Sequence, residues 1–95
     1  MKDYMIKLTP EAAKLFTKLH PENKKMIKTR IKDLSKTPGL DTDLQEELSG
    51  FKSYKLKRYR VIYKLSEEDS IIQIYYIGHR RDVYEQFRIL LNRLS

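Results

Sequence analysis

Apolar and polar residues alternate over Tyr4–Leu8 (YMIKL), which predicts a strand with Tyr4, Ile6 and Leu8 on one face. The period then becomes helical. Thr9-Pro10-Glu11 reads as an N-cap, a first helical residue with its φ already set, and an acid in the first turn. Ala12, Leu15, Phe16 and Leu19 follow at helical spacing, and His20-Pro21 ends that helix and starts another. The second helix is predicted to run to about Lys36, with Ile27, Ile31 and Leu34 inward and Pro38-Gly39 as its stop. Two amphipathic helices joined this tightly predict a helical hairpin.

The acidic stretch DTDLQEELSG (41–50) predicts a loop with one short turn. From Ser53 onward the period is two. YRVIYKL (59–65) and SIIQIYYIG (70–78) are rich in β-branched and aromatic residues, with the polar turn SEEDS between them and Gly78 at the end. RDVYEQFRILLNRL then returns to helical spacing through Val83, Phe87, Leu90, Leu91 and Leu94. The order β-α-α-β-β-β-α predicts an α+β fold over residues 1–95, taken as a single domain. Its small, antiparallel-dominated sheet carries the N-terminal helical hairpin on one face.

The net charge is +7, and the cations gather in 21–36 and in 52–65. The segment KSYKLKRYR, Lys52 to Arg60, holds five cations in nine positions and no acid. Such density costs self-repulsion in a small domain and suits a polyanionic partner, whose attraction would fall with salt. The lysines of 24–32 also have an ordinary reading, as the solvated side of a helix. There is no cysteine, so disulfides, thiolate metal sites and a cysteine nucleophile are excluded. Two histidines without ligand spacing predict neither a metal nor another cofactor. No run approaches the roughly 20 apolar residues that cross a bilayer, and no apolar leader opens the chain, so a cytoplasmic protein without membrane contact is expected.

Strand alternation predicts where the cations converge. With Leu56 toward the helices, Lys55 and Lys57 take the opposite face; with Val61, Tyr63 and Leu65 inward, Arg60, Ile62 and Lys64 do the same. Lys55, Lys57 and Arg60 are thus expected to share the face that the helical hairpin leaves open. Arg80 and Arg81 emerge just past Gly78, with Tyr84 one helical turn further. A one-residue slip of register would reverse this arrangement.

At this point the chain resembles a family. LTPEAAKLFTKL, YRVIYKL and YYIGHRRDVYEQF, in this order and over nearly the whole chain, resemble the RelE/ParE superfamily of toxin–antitoxin toxins; YRVIY with IGHRRDVY is the most specific part. The resemblance implies a RelE-like fold and a cognate antitoxin, RelB-like or of another class, with operator DNA reached only through the antitoxin complex. It also implies a choice of target. The RelE-like branch consists of messenger-RNA endonucleases that act in the ribosomal A site, whereas the ParE-like branch poisons DNA gyrase without catalysis. YRVIY occurs in both, and the lack of a tryptophan in EAAKLFTKL favours the first. A third reading is an inactive homologue that survives as a nucleic-acid-binding partner of its antitoxin.

RNA is cut without metal when its 2′-hydroxyl attacks the adjacent phosphate. A protein must then help remove a proton, stabilise a dianionic phosphorane and protonate the leaving 5′-oxygen. An arginine fork suits the phosphorane, and lysine crowded by cations is a better base than free lysine. By the resemblance, Arg60 and Arg80 bind phosphate, Arg80 also serves the leaving group, and Tyr84 stacks on or orients the nucleotide. Lys55 matches the first of two strand lysines. Lys57 either matches the second, a proposed base or charge stabiliser, or forms the strand turn with Arg58, which leaves Lys55 to act more nearly alone, although neither turn residue favours the positive φ of a tight hairpin. His79, a possible acid or base near neutrality, Arg81 and Arg58 are secondary candidates, and Lys52 and Lys64 would bind RNA alongside. The competing structural roles are an Arg60 pair with Glu46 or Glu47, and packing of Tyr84 with Val83 and Phe87. Tyr54, Tyr59, Tyr63, Tyr75 and Tyr76 are read as strand packing.

Overall fold

The computed structural model describes residues 3–36, 42–44 and 48–94. The expected Pro38-Gly39 stop and the carboxylates of Glu46 and Glu47 lie outside the described residues. The elements are β1 (Met5–Leu8), α1 (Pro10–Thr17), α2 (Pro21–Lys36), β2 (Thr42–Asp43), β3 (Lys52–Leu56), β4 (Tyr59–Ser66), β5 (Ile71–His79) and α3 (Val83–Leu94). The sheet order is β1-β5-β4-β3-β2, with β1 parallel to β5 and every other pair antiparallel. This is the expected α+β fold, with one addition. A two-residue strand, β2, forms inside the acidic stretch, where Asp43 pairs with Lys52 in register and through a 2.7 Å ion pair.

Local chemistry accounts for the helical hairpin. Thr9 is in extended backbone and its Oγ1 accepts the Ala12 N–H at 3.1 Å, which caps α1 ahead of Pro10. Pro21 then opens α2, whose Ile27, Ile31 and Leu34 are buried as their spacing requires. Together with Ala12 they cover Leu56, Val61, Tyr63, Ile72, Ile74 and Ile77 of the sheet.

The face that the hairpin leaves open is covered over much of its area by α3, whose apolar stripe packs on the sheet. Val83 and Phe87 are fully buried there with Ile62, Leu48 and Phe51. Phe51 meets Phe87 edge-to-face at 4.9 Å and Tyr75 at 5.0 Å, the geometry favoured by aromatic quadrupoles. Gly78 has a packing reason. A Cβ there would stand 3.1 Å from Val83 Cγ2 and 3.1 Å from Tyr76 Cε2, so the missing side chain lets α3 approach the sheet.

A bulge in β5 decides which residues share that face. Ile62 pairs with Tyr76 but Tyr63 with Ile74, so Tyr75 is an extra residue in β5. Tyr75 and Tyr76 both pack on the α3 side, and the alternation restarts with the opposite phase. Ile77 therefore joins the hairpin side with Ile72 and Ile74, while Gly78 falls opposite Arg60. The strand continues one residue past Gly78, to His79.

Lys57 and Arg58 form the β3–β4 turn, and Lys57 adopts φ +54°. Positive φ at the first central residue alone is the II′ pattern, in which glycine is the usual occupant and a Cβ costs about 1 kcal/mol. Lys57→Gly is accordingly expected to raise stability by about 0.5–1 kcal/mol, seen as a higher urea midpoint at unchanged slope. A lowered midpoint would show that the lysine stem contributes packing that outweighs the backbone cost.

Candidate nucleic-acid interface

The β3–β4 register sets Lys55 directly opposite Arg60. Directly opposed residues project from the same face with Cβ atoms about 4.5–5.5 Å apart. Two cations held that close repel each other, and a phosphate between them removes the repulsion. Lys55 is exposed, while Arg60 is half-buried and anchored: its Nη1 donates to the Lys57 carbonyl at 3.1 Å and to the Tyr59 carbonyl at 2.8 Å. The guanidinium thus ties down the hairpin turn and keeps its remaining N–H groups without partners among the described residues.

Arg80 follows the last strand residue. Its N–H donates to the Arg58 carbonyl at 2.6 Å, extending the β4–β5 ladder one step beyond the Tyr59–His79 pair. In that register Arg80 lies diagonally from Arg60, about 7–8 Å away between backbones. Its side chain is exposed. The phase change at Tyr75 puts Gly78, and by continuation Arg80, on the face of Arg60.

Tyr84 sits on the first turn of α3 and leans over β3. Its hydroxyl shares a 2.9 Å hydrogen bond with Ser53 Oγ, and the ring packs beside the cluster of Val83 and Phe87. Ser53, at 1% exposure, occupies the same face two residues from Lys55 and opposite Ile62. It was not singled out by pattern: a lone serine in a basic strand gives no signal until α3 is known to lie above it. The bond pins the phenol at the edge of the cationic group, so packing and nucleotide-facing roles for Tyr84 are compatible.

The other candidates fall elsewhere. Lys57 leaves the strand for the turn and, with the exposed Arg58, lines a pocket with residues of α2. His79 is on the hairpin side, its ring edge-on to Tyr59 at 6.2 Å, and its Nδ1 accepts the Arg81 N–H at 3.3 Å. That acceptor role holds the turn into α3 and separates His79 from the Lys55–Arg60 pair. Arg81 is exposed in the same turn. Lys52 is engaged by Asp43. Lys64 shares the face of Arg60 but lies about 13 Å further along the strand, its ammonium 4.6 Å from the Phe51 ring centroid. Tyr54, Tyr59 and Tyr63 pack on the hairpin side, Tyr75 and Tyr76 on the α3 side. Burial raises the Tyr76 phenol above its ordinary value, with the Glu11 and Asp82 carboxylates adding to the effect, so it stays neutral and serves packing.

Among the described residues no group of three or more His, Cys, Asp or Glu converges as a metal site. No helix of the described residues is long and apolar enough to cross a membrane.

A profile of the ParE toxin of the type II toxin–antitoxin system parDE matches residues 6–84. Toxin RelG of Mycobacterium tuberculosis is 28% identical over 85 residues, covering 87% of this chain and 98% of the relative. The RelBE2 toxin–antitoxin complex of the same organism contains a chain that superposes with a TM-score of 0.79 at 28% identity, covering 86% of this chain and 97% of that one. An arginine-substituted Escherichia coli toxin RelE in the free state superposes with a TM-score of 0.77 at 15% identity, over 99% of this chain and all of that one, which supports the fold alone.

Proposed function

Because the chain belongs to the RelE/ParE superfamily of type II toxin–antitoxin toxins, we propose that it is a metal-independent messenger-RNA endonuclease that acts on ribosome-bound message and inhibits translation. The observation that carries this reading is the pairing of Lys55 with Arg60 in register, with Arg80 diagonal to them and Tyr84 at the rim. In the proposed reaction the 2′-oxygen attacks the neighbouring phosphorus as its proton passes to solvent water. Lys55 faces that oxygen and offsets its developing charge. Arg60 and Arg80 hold the non-bridging oxygens of the phosphorane, where a planar fork donates two bonds to one phosphate. The P–O5′ bond then breaks, and a proton from solvent water on the Arg80 side completes the leaving hydroxyl. Products are a 2′,3′-cyclic phosphate and a 5′-hydroxyl. Tyr84 stacks on or orients the base next to the cut.

The partners follow from the reading. The M. tuberculosis chain that this one resembles belongs to a toxin–antitoxin complex, and this toxin is proposed to be held by its own antitoxin in the cytoplasm. An acidic or amphipathic antitoxin segment would complement the basic face.

The test is to map message ends in a translating lysate with and without the protein. New 5′-hydroxyl and cyclic-phosphate ends that require ribosomes are expected; intact messages would refute the reading. Salt provides a second measure. Three phosphate-binding cations give a slope of about −2 in log affinity against log salt, so a threefold rise in salt should weaken RNA binding about tenfold. A flat salt response would remove the cations from the interface.

A gyrase-directed reading is kept for one reason: the matching profile is that of ParE toxins. Inhibition of gyrase supercoiling by the purified toxin, with messages left intact, would favour it.

A further inference from the structure

On the far side of the β3–β4 turn from the Lys55–Arg60 pair lies a pocket of about 420 Å³, lined by Glu22, Asn23, Met26, Lys57, Arg58 and Tyr59. Its volume lies within the range of small-ligand sites, about 300–1,000 Å³. Its walls are chemically sorted. The Tyr59 ring and the Met26 thioether make an apolar side. Asn23 Nδ2 donates to the Tyr59 hydroxyl at 3.0 Å, which fixes both side chains and leaves the amide oxygen and a second N–H for another partner. Lys57 and Arg58 are exposed, and neither makes a side-chain hydrogen bond or ion pair among the described residues. Glu22 supplies one acceptor at the rim. An aromatic platform, an amide edge and two free cations correspond to the base, the base edge and the phosphate of a nucleotide.

The turn links this pocket to the cationic face. Arg60 holds the carbonyls of Lys57 and Tyr59, so the turn is rigidly placed with respect to the Lys55–Arg60 pair. From Arg60 to Arg58 the backbone advances only about 7 Å. Cations therefore run unbroken from Lys55 and Arg60 over the tip to Lys57 and Arg58, the kind of basic track that follows a single-stranded backbone.

We infer that this pocket is a subsite for one nucleotide of the message flanking the cut, its base against Tyr59 and Met26 and its phosphate on Lys57 and Arg58. The inference rests on the nuclease reading and extends it, because it makes cleavage depend on a base that does not react.

The test uses ribosomes programmed with messages that carry a single abasic nucleotide at successive positions on either side of the cut. Single-turnover cleavage is measured for the wild type, Arg58→Ala and Asn23→Ala. For the wild type, one flanking abasic position should lower the rate about tenfold, the order expected from one lost stacking contact. Both variants should cut the intact message about tenfold more slowly and should no longer respond to the abasic position. Arg58→Ala removes an exposed side chain and carries the test should Asn23→Ala not fold. Wild-type cleavage with no sensitive flanking position, or variants that keep the wild-type sensitivity, overturns the subsite and leaves the nuclease reading standing. A wild-type protein that cuts no ribosome-bound message overturns both.

Discussion

Arg80→Ala is expected to lower cleavage of ribosome-bound message about 10²–10³-fold, the usual loss when one preorganised donor to a developing oxyanion is removed. The thermal midpoint should move by no more than about 3 °C, because substitutions at exposed positions stay within roughly 0.5 kcal/mol. The structure explains why the two effects separate. The Arg80 side chain is exposed, and its hydrogen bond to the hairpin is made by the backbone, which alanine retains. Arg80→Lys should recover only part of the rate, since a point charge cannot donate in parallel to two phosphate oxygens. Arg60→Ala is a less clean experiment. Its Nη1 holds two carbonyls of the turn, so lost cleavage would come with a stability cost of about 1–2 kcal/mol. Cleavage by Arg80→Ala at the wild-type rate would remove this residue from the reacting centre.

Phe87→Ala should cost about 3–5 kcal/mol, read from the urea midpoint. A chain of this length is stabilised by only about 5–14 kcal/mol in total. Phe87 is fully buried, meets Phe51 edge-on at 4.9 Å and lies 5.8 Å from Tyr76. It is therefore the main anchor by which α3 covers Phe51 and Ile62. Without it, α3 should open ahead of the rest of the fold, with hydrogen exchange accelerated in Val83–Leu94 before α1 and α2. The opening would also release Tyr84 from Ser53. A loss below about 1 kcal/mol would mean that α3 contributes little and that its position owes little to this ring.

The helical hairpin was legible almost residue by residue. Thr9-Pro10 announced the start of α1, Pro21 that of α2, and Ile27, Ile31 and Leu34 are buried as their spacing required. Leu56, Val61 and Tyr63 point inward as their alternation requires, which fixes Lys55 and Arg60 on the opposite face. The position of Arg80 was less legible than its resemblance-based role. Alternation from Ile72 and Ile74 would put even-numbered residues of β5 under the hairpin; the extra residue Tyr75 reverses the phase, and two consecutive tyrosines give no sign of it. The turn at Lys57 was ambiguous because neither Lys57 nor Arg58 is a usual occupant of positive φ. Coverage of the second face by α3, and the Ser53–Tyr84 bond that results, depend on contacts between residues 31 positions apart. No local pattern encodes such a pairing.

The most direct measurement is the structure of the protein on a ribosome whose message carries a 2′-O-methyl group at the cut, so that attack is blocked. The guanidinium groups of Arg60 and Arg80 are both expected about 2.7–2.9 Å from oxygens of one phosphate, with Lys55 toward the methylated oxygen. A message phosphate held without these two arginines, or the arginines on opposite sides of the message, would contradict the proposed reaction.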